Sequence, residues 1–133
     1  MGGMAEDHPA KLLARAANAT LGYPFLAVGS LYACWLLAGR TLGHAPVAWI
    51  DDPAQALGAY CAGWLYPSIS ILAIVAIIPV FIASVVCNVT YVLRRRPSAV
   101  QAGIRAFTVA GVWLWYWILV TKDPHEILKW WMD

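Results

Sequence analysis

Charged residues are scarce in this 133-residue chain, and their scarcity excludes an ordinary water-soluble domain. Only 12% of the residues are charged and 62% are hydrophobic, whereas a soluble domain has about 25% charged and roughly 45 to 50% apolar residues. The length suits one domain, and a soluble core of that size does not absorb such an apolar surplus. We therefore expect an all-α integral membrane protein with a single membrane domain over residues 1–133.

Cysteine is also rare, with Cys34, Cys61 and Cys87 as the three examples. Their number is odd and no CxxC pair occurs, so the sequence predicts neither a disulfide framework nor a zinc site. A nucleotide-binding glycine loop and a serine elbow are missing as well. We predict no cofactor, although a bound lipid or pigment needs no short motif and stays an open alternative.

Long apolar runs are what the chain has in abundance. Three of them can cross a hydrocarbon core about 30 Å thick, which takes roughly 20 helical residues, and they cover residues 21–39, 68–93 and 103–121. Pro79 is expected to kink the second span and to free a carbonyl. Residues 1–20 are predicted to form a cytoplasmic N-terminal segment, and residues 40–67 an outer loop with a short interfacial helix. Residues 94–102 are predicted to form a basic cytoplasmic loop, and residues 122–133 an outer interfacial C-terminal helix.

Positive charges are distributed unevenly about these spans, and the side with more of them is expected to be cytoplasmic. Six lysines and arginines fall on one side and three on the other: Lys11, Arg15, Arg94, Arg95, Arg96 and Arg105 against Arg40, Lys122 and Lys129. The sequence thus predicts a multi-pass cell-membrane protein with the N-terminus inside and the C-terminus outside. Its alanine-rich spans suggest a bacterial inner membrane. A signal peptide cleaved near His44 is the alternative for the first span, and Arg40 opposes it.

Both predicted outer helices begin with an Asp-Pro pair, Asp52-Pro53 and Asp123-Pro124. Aspartate is a favourable N-cap, and proline is tolerated at the first helical position. The C-terminal helix carries an apolar side, which predicts that it lies in the interface plane: Ile127, Leu128, Trp131 and Met132. The earlier helix, within residues 53–66, is also compatible with a re-entrant turn.

Tryptophan is abundant, and all eight residues fall on the outer side or in the outer half of a span. An ordinary aromatic belt would occupy both interfaces, so the asymmetry indicates an outward-facing contact site. Trp35, Trp113 and Trp117 are candidates for lining an outer-leaflet groove that binds a ligand.

Small residues on the third span predict helix packing. Ala102, Ala106 and Ala110 repeat every four residues, which allows helix backbones to approach closely. This surface is either an intramolecular interface whose outer gap the indoles fill or a groove for a lipid tail, a pigment or a partner helix. Three further pairings are weaker: Gly29 with Ala33 and Ser30 with Cys34 on the first span, and a hydrogen bond between Asn88 and Thr108.

Polar candidates lie near the membrane surfaces. Arg94, Arg95 and Arg96 predict contact with anionic lipid headgroups, Arg105 is expected to extend its side chain to the inner surface, and nucleic-acid binding is not expected. The loops on the outer side carry weak candidates for a metal site or acid–base chemistry: His44, Asp52, Asp123 and His125.

The leading hypothesis is a small non-enzymatic accessory or assembly subunit of a larger membrane complex, with the bilayer and other membrane subunits, or further copies of itself, as partners. No acid, lysine or histidine lies in the middle of a span, which disfavours ion-coupled transport by one copy. A homo-oligomeric pore, or a protein that transports lipids or small molecules, is the alternative. A small membrane enzyme using the outer His and Asp residues is the third hypothesis.

Overall fold

The computed structural model describes residues 7–60, 63–123 and 125–132. All regular structure within those ranges is helical, as the sequence predicts, and no strand occurs there. The elements in chain order are α1 (Asp7–Leu42), α2 (Pro53–Ala56), α3 (Leu65–Ser70), a π-helix (Ile71–Val75), α4 (Ile77–Arg95), α5 (Ala99–Lys122) and α6 (Ile127–Met132).

Three of these helices, α1, α4 and α5, are long and apolar enough to cross a membrane. Their number agrees with the prediction, but their ends do not. Helix α1 begins at Asp7 rather than near residue 21, and α5 begins at Ala99 rather than near residue 103. Apolar runs mark the part of a helix that suits hydrocarbon, whereas alanine, leucine, lysine and arginine continue the helix beyond it.

The second predicted span is not one continuous helix. Residues 71–75 form a π-helix, in which the Ala76 N–H donates to the Ile71 carbonyl at 2.9 Å, five residues back. Pro79 explains the irregularity, because proline has no N–H and its ring clashes with the carbonyl four residues earlier. The irregular hydrogen bonding therefore lies upstream of Pro79, over residues 71–76; the kink itself stays a prediction.

A short turn joins α4 to α5. Arg96 adopts a left-handed φ of 44°, and Pro97 follows it. The Gln101 N–H then donates to Ser98 Oγ, and the Ser98 N–H donates to Gln101 Oε1, both at 3.3 Å. This reciprocal pair is a capping box, and it fixes the start of α5 at Ala99. The predicted basic loop over residues 94–102 is therefore mostly helical.

The chain divides into two compact units. Unit 1 comprises Met1–Pro24 and Ile78–Trp115, and unit 2 comprises Phe25–Ile77 and Tyr116–Asp133. Unit 1 buries polar side chains, Ser84 and Asn88, beside the indole of Trp113. The buried residues of unit 2 include two more indoles, Trp130 and Trp131.

Both predicted aspartates accept backbone amides in unit 2, but only Asp52 does so from the N-cap position. Asp52 Oδ1 accepts from the N–H groups of Ala54 at 2.8 Å and Gln55 at 3.4 Å, with Pro53 at the first helical position. The two carboxylate oxygens of Asp123 accept from the amides of Leu128 at 3.0 Å and Lys129 at 2.9 Å. Because α6 begins at Ile127, Asp123 caps its first turn from outside the predicted N-cap position; the role predicted for Pro124 lies outside the described residues.

The two indoles of helix α6 are buried within unit 2. Trp130 and Trp131 are 0% and 1% exposed. Trp130 Nε1 donates to the Asp51 carbonyl at 2.7 Å, and Trp131 Nε1 donates to Ser70 Oγ at 3.0 Å. The predicted apolar side is thus partly wrong, because Trp130 belongs to the buried side and Met132 is 62% exposed. The interfacial position of α6 stays a prediction.

Candidate functional site

One guanidinium in unit 1 links three helices. Arg105 on α5 donates from Nε to Asn88 Oδ1 on α4 at 2.7 Å, and from Nη2 to Asn18 Oδ1 on α1 at 3.0 Å. Asn88 Nδ2 in turn donates to the carbonyls of Ser84 at 2.7 Å and Ala17 at 3.4 Å. A charged donor and two amides therefore form a polar network between otherwise apolar helices.

This network corrects one expectation. Thr108 donates to the Ile104 carbonyl of its own helix at 2.9 Å, so the side-chain partner of Asn88 on α5 is Arg105 rather than Thr108. The extension of Arg105 to the inner surface stays a prediction; its guanidinium carbon lies 4.2 Å from the centre of the Tyr91 ring. At this distance the cation is attracted by the aromatic face, which adds a further contact with α4.

A cavity with both polar and apolar lining residues lies beside this network, and we call it the Arg105 cavity. Its volume is about 420 Å³, and its walls come from α1, α4, the α4–α5 turn and α5. Besides Arg105, its polar lining residues are Asn18, Tyr91, Gln101 and Thr108. Ligand sites in proteins commonly have volumes of about 300 to 1,000 Å³, so the Arg105 cavity is large enough for a small polar group.

The predicted alanine repeat lines a second space, the α4–α5 groove. It has a volume of about 670 Å³ and an almost wholly apolar surface. Its α5 wall includes Ala102, Ala106 and Ala110, and its α4 wall includes Val85 and Val89. Ala106 and Ala110 are exposed, so the repeat faces open space rather than a tightly packed helix.

Trp113 fills one end of the α4–α5 groove. Its ring centroid lies 4.9 Å from that of Phe81 on α4, and Nε1 donates to Ser84 Oγ at 3.1 Å. The intramolecular interface foreseen for this surface is therefore present at Trp113. The alternative interpretation, an open groove, applies to the alanine segment.

Two other tryptophan candidates do not line this groove. Trp117 is about half exposed and belongs to unit 2. Trp35, also in unit 2, has its ring centroid 6.4 Å from that of His125. Its buried Nε1 has no hydrogen-bond partner among the residues the structure describes.

The small face predicted on α1 is open. Ala33 is exposed, and a Cβ added at Gly29 would have nothing within 4 Å. Ser30 donates to the Ala27 carbonyl of its own helix at 2.8 Å. Within the described ranges, therefore, no helix packs against the Gly29–Ala33 pair as predicted.

The outer His and Asp candidates have separate local roles. Asp52 and Asp123 cap helices, His125 contacts aromatic rings, and His44 Nδ1 lies 3.8 Å from Asp51 Oδ2. Over the described parts of the chain, no three His, Cys, Asp or Glu side chains are grouped so that they would hold a metal ion.

The arginine triplet lies at the end of α4 and in the turn that leads to α5. Arg94 and Arg95 form the last turn of α4, Arg96 follows it, and all three are exposed. Their contact with lipid headgroups stays a prediction. The residue after the triplet, Pro97, is the first of this segment to line the Arg105 cavity.

No family model, curated protein or solved structure matches this chain. The residues that sequence reasoning missed are Asn18 and Gln101. Gln101 carried a usable signal, because Ser98-x-x-Gln101 is a capping-box pattern. Asn18 carried none, since its contact with Arg105 depends on how two distant helices are rotated.

Proposed function

We propose that this protein is an integral membrane protein that acts without catalysis as an accessory or assembly subunit of a larger membrane complex. The observation that carries the proposal is the open α4–α5 groove with Ala102, Ala106 and Ala110 in one wall. Small side chains allow a neighbouring backbone to come close, and this drives helix association in lipid. The groove suits a transmembrane helix of another subunit.

A second property of α5 supports this proposal. Phe107 and Ile104, which do not line the groove, are 81% and 62% exposed. Bulky apolar side chains of this kind suit contact with lipid tails, whereas a row of alanines provides little surface for them. Only 11% of the apolar window of α5 is buried within the chain, so most packing surface on this helix is available to partners.

The orientation that accompanies this proposal places the N-terminus and the α4–α5 turn on the cytoplasmic side of a bacterial inner membrane. Lysine and arginine counts near span ends support it. A phosphatase or fluorescent-protein fusion at the C-terminus tests it directly. Phosphatase activity without fluorescence is expected, and the reverse pattern would contradict this orientation.

Filling the groove is the experiment that tests the function. The double variant Ala106→Leu with Ala110→Leu should release the protein from its complex, because the added side chains occupy the space that a partner helix requires. Complex size and composition are measured by native mass spectrometry after mild detergent extraction from the native membrane. We expect different chains with the wild type and their loss from the variant.

Gly111→Leu is the matched control. It adds the same side chain to the same helix one residue from Ala110, at a position where an added Cβ meets nothing within 4 Å and which does not line the groove. The complex should survive this change. An unchanged complex in the Ala106→Leu, Ala110→Leu variant would count against the proposal.

A further inference from the structure

The hydrogen-bonding capacity of the Arg105 cavity is one-sided. A guanidinium has five N–H donors, and Asn88 and Asn18 accept from two of them. The other three have no acceptor in the parts of the chain that the structure describes. Arg105 therefore keeps much of its capacity for a further ligand.

The amide side chains in the cavity wall reinforce this imbalance. Asn18 Oδ1 already accepts from Arg105, and Gln101 Oε1 already accepts from the Ser98 N–H at 3.3 Å. Each amide oxygen thus already accepts one hydrogen bond, while both NH₂ groups lack an acceptor within the described ranges. Because an amide oxygen has two acceptor positions and an NH₂ group two donors, the two amides keep more donors than acceptor positions for a ligand.

Charge points in the same direction. Arg105 is the one charged residue among the described residues that line the cavity. Arg105 is half-buried, and its contacts are two neutral amides and an aromatic ring. None of these contacts carries a negative charge, and a cation that is partly withdrawn from water is favoured by pairing. An anion would supply the missing counter-charge and the missing acceptors together.

We propose that the Arg105 cavity binds a phosphate oxyanion, either the headgroup of an anionic phospholipid or free phosphate. The planar guanidinium matches phosphate geometry and can form two parallel bonds to it. The adjoining Arg94–Arg96 segment would raise the local concentration of anions, and basic pockets between transmembrane helices bind anionic headgroups. Arg105 lines both this cavity and the α4–α5 groove, whereas Asn18 and Gln101 line the cavity alone. The anion site can therefore be tested at Gln101 without a change in the groove.

Ligand-dependent thermal stability of the purified protein in uncharged detergent tests this site. A ligand that binds only the folded state raises its stability with concentration. The probes are dioleoyl phosphatidylglycerol, dioleoylglycerol with the same acyl chains and no phosphate, and inorganic phosphate. We expect saturable stabilisation by phosphatidylglycerol at concentrations at least about tenfold below any effect of dioleoylglycerol. Saturation by inorganic phosphate alone would identify free phosphate as the occupant.

Gln101→Glu is the decisive variant. Glutamate preserves the capping box with Ser98, so α5 should form normally, but it replaces an amide donor with a carboxylate that repels or displaces the anion. Phosphatidylglycerol or phosphate should bind at least about tenfold more weakly, a loss of about 1.4 kcal/mol. Arg94, Arg95 and Arg96 remain in place, so non-specific lipid attraction is retained.

Gln55→Glu is the control, because it adds the same charge at an exposed position of α2 in unit 2. It should leave binding unchanged. Equal binding by wild type and Gln101→Glu would overturn the proposal. So would equal stabilisation by dioleoylglycerol and phosphatidylglycerol. Neither result is a measurement of complex assembly. Failure of the proposed anion site can therefore be distinguished from failure of the proposed subunit role.

Discussion

At the scale of single residues, indole N–H groups specify how the interior is arranged. Trp113, Trp130 and Trp131 each donate to one oxygen, and all three rings are buried. A buried donor that loses its acceptor costs more than the bond itself contributes. The bonds made by these indoles therefore stabilise the fold mainly because breaking one of them is costly.

Ser84→Ala should be destabilising for this reason. Ser84 is 0% exposed and accepts from Trp113 Nε1, so alanine removes a buried hydrogen bond between α4 and α5. We expect a loss of about 1 to 3 kcal/mol, measured as a lower free energy of unfolding in detergent. Ser68→Ala, at an exposed serine on α3, should change it by less than about 0.5 kcal/mol. Equal effects would contradict the role assigned to Ser84.

Residue-level predictability follows the range of each interaction. The cap at Asp52 is predictable, because an N-cap contacts amides only a few residues away in the chain. Asp123 contacts amides five and six residues ahead, which the N-cap pattern does not predict. The partner of Asn88 is not predictable, because spacing along α5 does not say whether Thr108 or Arg105 faces α4. The outer His and Asp residues shared a predicted side of the membrane, but that does not bring their side chains together.

At the scale of elements, short helices depend on their ends. Helix α6 has six residues, and its first turn is held by two bonds to the Asp123 carboxylate. An isolated helix of this length is not stable in water. Its capping bonds and buried indoles must therefore supply the stability that its own backbone lacks.

Asp123→Ala should loosen α6. The change removes both capping bonds, and we expect a local loss of about 0.5 to 2 kcal/mol, seen as faster hydrogen exchange at the amides of Leu128 and Lys129. Glu126→Gln is the control. Its hydrogen bond raises the pKa of Lys129 above the usual value, but the pair is exposed and contributes little to stability. Equal acceleration in both variants would show that Asp123 is not the cap.

Element boundaries were predictable only where the apolar pattern and the helix coincide. Three spans follow from length and hydropathy, whereas the helical stretch from Asp7 onward extends well before the apolar run. Pro79 predicts an irregularity in the helix, but its steric effect acts on carbonyls of residues that precede it in the chain. The π-helix at residues 71–75 therefore appears several residues from the signal.

At the scale of the whole molecule, the membrane assignment rests on three long apolar helices. The alanine repeat predicted close packing, and its position in an open groove explains why sequence alone left two interpretations. Spacing identifies a small face, but it does not identify the surface opposite. The central claim is that this face receives a transmembrane helix from another subunit.

Site-specific photo-crosslinking in native membranes tests that claim most directly. A diazirine amino acid at Val109, which lines the α4–α5 groove, is compared with the same group at Phe107, which is 81% exposed and does not line it. We expect position 109 to form an adduct with a different polypeptide, and position 107 to form no adduct with a polypeptide. Lipid adducts alone at both positions, or an adduct from position 109 with a second copy of this chain, would contradict it.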